Sequence, residues 1–338
     1  MIRKLAGLVV LGAVLAVMIW LVPSSARAQS LVDIFDLGMG ARPLSLGGAF
    51  AALADDENAV LYNPAGLATL AEFHFGSLFE SRFARINDGS IAIAAPHFGG
   101  GLFFLDVGNI PHTDETGQTQ GAFDYGNFGL IAGAGYLLSD ILGASAPDLP
   151  LALGGQLKFL SVSSPPAGNG VSFALSPSLL LDLGGYQLGL ADLQKIRVGL
   201  TLQNLIGLPL CYNNGHCEPW AIGAKLGFSA DVAHQLRLAF DLDTSGDLHL
   251  GGEWHLERAD LLREGFEELA LRLGIMTTGN VFSFTAGFGV AYQYFSLDYA
   301  FISHPDLGGS HRISLGAHID TATLFCLLSG QRCPTLKD

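Results

Sequence analysis

Positive charge is scarce in this sequence. Of 338 residues, 17 are Lys or Arg against 31 Asp or Glu, giving a formal net charge of −14 at pH 7. A phosphate-neutralising grip on nucleic acid is thereby excluded as a function class. Charged residues of both signs reach only 14%, where soluble domains carry about 25%. After residue 28 no uninterrupted apolar run attains the roughly 18–20 residues that a membrane-spanning helix requires. Two common catalytic frames are missing as well. There is no Gly-x-Ser-x-Gly nucleophile elbow and no glycine-rich phosphate loop followed by Lys-Ser/Thr, so no enzyme class is suggested and no cofactor is implied.

What is present is apolar character spread thinly along the chain. Hydrophobic residues make up 49% and glycine contributes 44 residues, with a mean hydropathy of +0.39. Arg3 and Lys4 open the chain, an apolar stretch runs from Leu5 to Val22, and Ala26-Arg27-Ala28 gives the small-x-small pattern of a signal peptidase site. Residues 1–28 are therefore expected to be a cleaved export signal, an uncleaved anchor being the competing reading.

From residue 71 onward, runs of about ten residues alternate apolar and polar side chains between Gly, Pro, Asn, Asp and Ser clusters, the signature of strands. Leu248, Leu250, Trp254 and Leu256 fall on one face, with His249, Glu253 and His255 on the other. Leu236, Leu238, Phe240 and Leu242 oppose Arg237 and Asp241. Leu271 and Leu273 flank Arg272, and Phe295, Leu297 and Tyr299 oppose Ser296 and Asp298. A secreted sandwich also alternates, but its polar faces are rich in Lys and Glu. Here only Lys158, Lys195, Lys225 and Lys337 follow the export signal. An apolar face with a small, mixed polar face opposite suits a barrel whose outside meets lipid and whose inside is a polar lumen. The fold class expected is all-β, a transmembrane antiparallel barrel.

The candidate strands span residues 71–80, 88–97, 101–109, 125–138, 150–162, 170–183, 195–206, 219–229, 234–243, 247–257, 267–277, 281–292, 294–303 and 309–319, about fourteen in all. An even count places both ends of the barrel chain on the periplasmic side. The turn at residues 97–100 then falls in the periplasm, and the polar loop at residues 110–124 falls outside the cell. Residues 29–70 are too apolar for a free tail and too rich in small residues for a strand; they are expected to fold back as a hatch in a lumen wide enough to need filling. The organisation expected is thus signal 1–28, hatch 29–70, barrel 71–320 and tail 321–338.

Gly40-Ala41-Arg42-Pro43-Leu44, Gly47-Gly48-Ala49-Phe50, Asp55-Asp56 and Asn63-Pro64-Ala65-Gly66-Leu67 resemble the opening motif of the FadL superfamily of outer-membrane proteins, especially its PorV/PorQ-like and UPF0164 branch. Leu297-Asp298-Tyr299-Ala300-Phe301, Asp306-Leu307-Gly308 and His311-Arg312-Ile313-Ser314-Leu315 are similar to that branch's closing strands. The resemblance implies a fourteen-stranded barrel with an N-terminal hatch in the bacterial outer membrane. It also implies one of two roles: a channel for a hydrophobic small-molecule solute, or a PorV-like partner for secretion, assembly or surface-attachment proteins. The continuation past Ile319 to Asp338 departs from the aromatic ending common in such barrels.

The candidate gate residues are Gly47, Gly48, Asn63, Pro64, Ala65 and Gly66. Pro64 fixes its own backbone and drives Asn63 out of helical geometry, Asn63 is suited to bonding local backbone, and Gly66 is read as freedom to reverse toward the first strand. The candidate lumen residues are Arg237, His249, Glu253, His255, Arg272, Asp298 and Arg312. His249, Glu253 and His255 share a strand face, yet no further metal ligand stands nearby, so lumen polarity is the reading kept and no metal is assigned. Asp241, Asp243, Ser245 and Gly246 resemble the opening of a calcium loop but lack its terminal Glu, and read as a hairpin turn. Cys211, Cys217, Cys326 and Cys333 form two local pairs; in an exported chain they favour two small-loop disulfides, paired within each cluster.

Overall fold

The computed structural model describes residues 34–82, 86–114, 116–143, 149–165, 168–184, 193–232, 235–257, 266–279, 281–306, 308–320 and 323–324. Residues 1–28, expected as an export signal, and Cys326, Cys333 and nearly all of the expected tail lie outside these.

Fourteen antiparallel strands form the wall. They are β1 (Phe73–Arg82), β2 (Ile86–Ala95), β3 (Phe98–Thr113), β4 (Thr119–Leu137), β5 (Leu151–Ser164), β6 (Gly168–Asp182) and β7 (Leu193–Gln203), then β8 (Gly223–Val232), β9 (Leu236–Asp243), β10 (Leu248–Glu257), β11 (Phe266–Thr278), β12 (Val281–Tyr292), β13 (Phe295–His304) and β14 (Gly308–Ile319). Each pairs with its sequence neighbour, and β14 returns to β1 through seven register pairs from Phe73↔Ile319 to Phe79↔Ile313, so the sheet closes into a barrel. Closure removes the open sheet edges that lipid would not tolerate. An additional two-residue strand, Ile206–Gly207, joins β6 after β7 has ended. We call the mouth where β1 begins and β14 ends proximal, and the opposite mouth distal.

The alternation read from the sequence sets the two faces. Leu238, Leu250, Trp254, Leu271, Leu273, Leu297, Ile313 and Leu315 are exposed on the outside, while Asp241, Glu253, Arg272 and Arg312, on four of the same strands, are buried inside. Such an inside-out arrangement is stable only against lipid, and the protein is a transmembrane barrel. The strand spans differ from those expected most at the β3–β4 hairpin, where residues 110–113 and 119–123, expected as loop, continue the ladder from Ile110↔Phe123 to Thr113↔Thr119, and next at β7 and β8. β7 ends at Gln203 and β8 starts at Gly223, because Asn204 takes a positive φ of 52° and breaks the ladder.

The lumen is filled by the N-terminal segment, the plug. It consists of a 3₁₀ turn at Ile34–Leu37, short helices at Ala41–Ser45 and Ala59–Tyr62, and a second 3₁₀ stretch at Pro64–Thr69. Met39, Leu46, Phe50, Val60 and Leu67 are completely buried. Inward-facing glycines let plug backbone touch the wall directly. A Cβ at Gly154 would stand 2.2 Å from the Ala65 nitrogen, one at Gly199 2.0 Å from the Ala51 oxygen, and one at Gly274 2.4 Å from the Gly47 nitrogen. Much of the high glycine content is thus a seat for the plug.

Cys211 and Cys217 are joined as a disulfide across the short hairpin of Leu210–Cys211 with Cys217–Glu218. Closing so small a ring contributes about 2–3 kcal/mol in the chain-entropy model.

Candidate functional site

The site is the interface between plug and wall, and a charged latch is its centre. Arg42 is the sole basic residue of the plug, placed on the helix Ala41–Ser45. Its Nε and Nη2 donate to the two carboxylate oxygens of Glu253 on β10, at 2.9 and 3.0 Å. Its Nη1 donates to Asp55 and Asp56 within the plug, each at 2.7 Å. Bidentate guanidinium geometry makes this both strong and directional. From the wall, Arg237 donates to Asp55 at 2.9 Å and to Asp231 at 2.8 Å. Arg272 donates to Glu253 at 2.8 Å and also to Asp298. His255 lies between Glu253 and Glu268. Four of the seven lumen residues named from the sequence, Arg237, Glu253, His255 and Arg272, therefore meet in one network, with Asp298 at its edge.

His249 and Arg312 stand apart from it. The Nδ1 of His249 donates to the Gly47 carbonyl at 2.7 Å, and Lys225 donates to its Nε2 at 3.4 Å. The shared strand face of His249, Glu253 and His255 is thus divided between a plug carbonyl and a guanidinium cluster. Arg312 pairs with buried Glu80 at 2.7 Å and donates to the Leu37 carbonyl at 2.8 Å.

Gly47 and Gly48 hold φ of 67° and 80°, the left-handed region that glycine adopts without cost. Gly47 also lies so close to β11 that a Cβ would stand 2.5 Å from the Ile275 oxygen. Asp241, missed by the sequence reading as a plug contact, accepts from the amides of Phe50 and Ala51 at 2.9 Å each. The calcium-like run around it is a turn: Asp243 accepts from the amides of Ser245 and Asp247.

Asn63 is extended, at φ −161° and ψ 94°, as the following proline requires. Its Oδ1 accepts from the Ala65 amide at 3.1 Å, while Nδ2 donates to Ala51 at 2.6 Å and to Leu179 of β6 at 3.0 Å. One side chain ties two parts of the plug to the wall. Ala65 also donates to the Ser178 hydroxyl at 3.0 Å. Gly66 corrects an expectation: it lies inside a 3₁₀ stretch, and what requires glycine is proximity, since a Cβ would stand 2.0 Å from the Ala54 oxygen. It packs the plug upon itself and does not act as a reversing swivel.

Below the latch a cavity of about 790 Å³ opens at the proximal mouth, lined by Arg42, Asp55, Glu57, His74, Glu268 and Asp298 among others. Two plug carboxyls there behave oppositely. Burial works against ionisation of Asp55, yet Arg42 and Arg237 beside it hold its pKa well below the usual value. Burial and the neighbouring Asp56 push Glu57 up to about 8. A raised folded-state value means that stability is fully present below the ordinary value of 4.5 and is lost as pH rises through about 8. The plug should accordingly exchange its amide hydrogens faster at pH 9 than at pH 6, after correction for intrinsic exchange. Glu57→Gln should remove that difference; an unchanged pH response in the variant would assign it to another group.

No protein-family model and no curated relative matches the chain. Among solved structures, the CymD monoaromatic hydrocarbon channel is similar with a TM-score of 0.52 at 13% identity, covering 84% of this chain and 98% of that one. A deltaS2S3 mutant of the TodX monoaromatic hydrocarbon channel gives 0.51 at 12%, covering 84% and 99%. The Pseudomonas putida toluene transporter TodX gives 0.50 at 11%, covering 87% and 99%. At such identities the likeness is one of fold.

Proposed function

We propose that the protein is an outer-membrane channel for hydrophobic small molecules, gated by the N-terminal plug, and not an enzyme. The observation that carries this reading is how the plug is held. It is seated by hydrogen bonds, ion pairs and glycine contacts, all of which can release and reform, and it separates the polar proximal cavity from an apolar cluster toward the distal mouth. That cluster gathers Phe35, Phe103, Ile131, Leu160 and Trp220. The solved channels that share the fold are described as carrying monoaromatic hydrocarbons or toluene, which supports a solute of the same class here. Membrane lipid is then the medium of the outer face, and the proximal mouth faces the periplasm.

Asn63 and Pro64 set the test. In Asn63→Ala/Pro64→Ala the Ala51 and Leu179 carbonyls lose their donor, a loss of about 1–3 kcal/mol for each acceptor left buried without a partner. The barrel should still assemble and keep its heat-modifiable gel mobility, while uptake of a radiolabelled hydrophobic solute by whole cells changes several-fold. Uptake by wild-type cells no greater than by cells lacking the protein would overturn the channel reading and leave the secretion, assembly or attachment role in its place.

A further inference from the structure

The wall is weakest where β7 should continue toward the distal mouth. β6 pairs with β7 from Ser178↔Thr201 to Asp182↔Arg197, and with Ile206–Gly207 for two residues more. Beyond that, no strand pair joins Gly168–Phe173 on this side; Leu208 donates a single backbone hydrogen bond to the Phe173 carbonyl. Residues 204–222 leave the ladder at Asn204 and return at Gly223. Ile206 and Leu208 are exposed on the outer face, whereas Leu210 and Trp220 turn inward and are buried.

The inward side chains enter a pocket built by other elements. Phe35 of the plug, Phe103 of β3, Leu160 and Val162 of β5 and Ala174 of β6 surround them. Lys158 of β5, itself buried at 4% exposure, holds its ammonium 5.0 Å from the Phe35 ring centre and 6.0 Å from the Trp220 ring centre, within reach of a cation–π attraction. The Trp220 indole donates to the Ser172 hydroxyl at 2.6 Å, and that hydroxyl donates onward to the Leu208 carbonyl. The indole also lies tight against Gly207, where a Cβ would stand 2.7 Å from its Cδ1. The Cys211–Cys217 bond makes the tip of the connection one compact unit.

We propose that this pocket is the distal binding site for solute and that Trp220 occupies it in the closed state. The reading rests on the channel proposed above and adds to it a location and a ligand class. A neutral aromatic molecule of one or two rings replaces the indole, presents its π-face to Lys158 beside Phe35, and sends residues 204–222 away from β6. An alkyl chain fills the same volume but gives Lys158 no π-face, so the site discriminates by chemistry as well as by size.

The test is fluorescence titration of naphthalene into the detergent-solubilised full chain with its disulfide intact. Trp220→Ala should bind naphthalene at least tenfold more tightly than the wild type, because the competing side chain is gone. Gly207→Ala keeps the indole but pushes it from its seat and should give a gain in the same direction; it serves where Trp220→Ala does not assemble. Adding Lys158→Met to either variant should lose most of that gain for naphthalene while leaving competition by decane unchanged. No gain in a variant that keeps its heat-modifiable mobility overturns the site. A gain that ignores Lys158 and is shared by decane overturns the aromatic assignment. Tight naphthalene binding without any uptake by cells would keep the site and refute the channel.

Discussion

Replacing Arg42 by alanine should free the plug while the barrel stands. Asp55, Asp56 and Glu253 all take hydrogen bonds from this one guanidinium, and Glu253 is completely buried. Removing one partner from a buried ion pair costs about 3–5 kcal/mol, because the remaining charge is left without compensation. Here the loss falls toward the lower end of that range. Arg272 and His255 still serve Glu253, and Arg237 still serves Asp55. None of those three is part of the plug, so the wall keeps its internal network, while the plug loses its forked tie to Glu253 and keeps the pair of Asp55 with Arg237. Arg42→Lys should recover little, since an ammonium cannot reproduce the forked contact with Glu253. Hydrogen exchange across residues 41–56 should rise by two orders of magnitude or more in Arg42→Ala, together with leak conductance in planar bilayers. Unchanged exchange and unchanged conductance in a correctly assembled barrel would show that the latch does not hold the plug.

The wall was legible in the sequence because lipid enforces a rule with few exceptions. Every outward position must be apolar, so Leu248, Leu250, Trp254 and Leu256 announce a strand and its facing without knowledge of its partners. The same parity identified Arg237, Glu253, Arg272 and Arg312 as inward. What it cannot supply is the identity of their partners. The bond from Arg42 to Glu253 spans 211 positions, and nothing local to either residue selects the other. A signal was nonetheless present: a lone arginine in an apolar segment, with Asp55 and Asp56 a short distance on, is a charge that must be answered once buried. Trp220 was hidden for a different reason. The alternation suggested a strand over residues 219–229, but the chain there is still returning from the lumen, and β8 begins only at Gly223. Inward burial of a loop side chain leaves no period to detect. The glycines lie between these cases. Their number was plain in the sequence, while their purpose required the plug's position.

Gly199→Ala, the smallest substitution available, should have one of the largest effects. Gly199 lies on the inner face of β7, and a Cβ there would stand 2.0 Å from the Ala51 carbonyl oxygen and 2.9 Å from Asn63 Nδ2. The first obstacle is backbone and cannot rotate aside. The second is the amide already committed to the Ala51 and Leu179 carbonyls. Relief therefore requires the plug to move away from β7 and weakens the Asn63 bonds with it. Overpacking of this kind costs about 1–3 kcal/mol or more, and here the hydrogen-bond loss adds to it. Gly100→Ala is the matched control: it too is a strand glycine, but the nearest atom to its Cβ would be the Ile131 oxygen at 3.5 Å, an ordinary contact. Thermal loss of the folded gel band should shift downward by several degrees in Gly199→Ala and hardly at all in Gly100→Ala, and plug exchange should accelerate only in the first. If Gly199→Ala retained wild-type stability and plug protection, the close seating of the plug on the inner glycines would be wrong, and the release of the plug would have to be sought in its ion pairs alone.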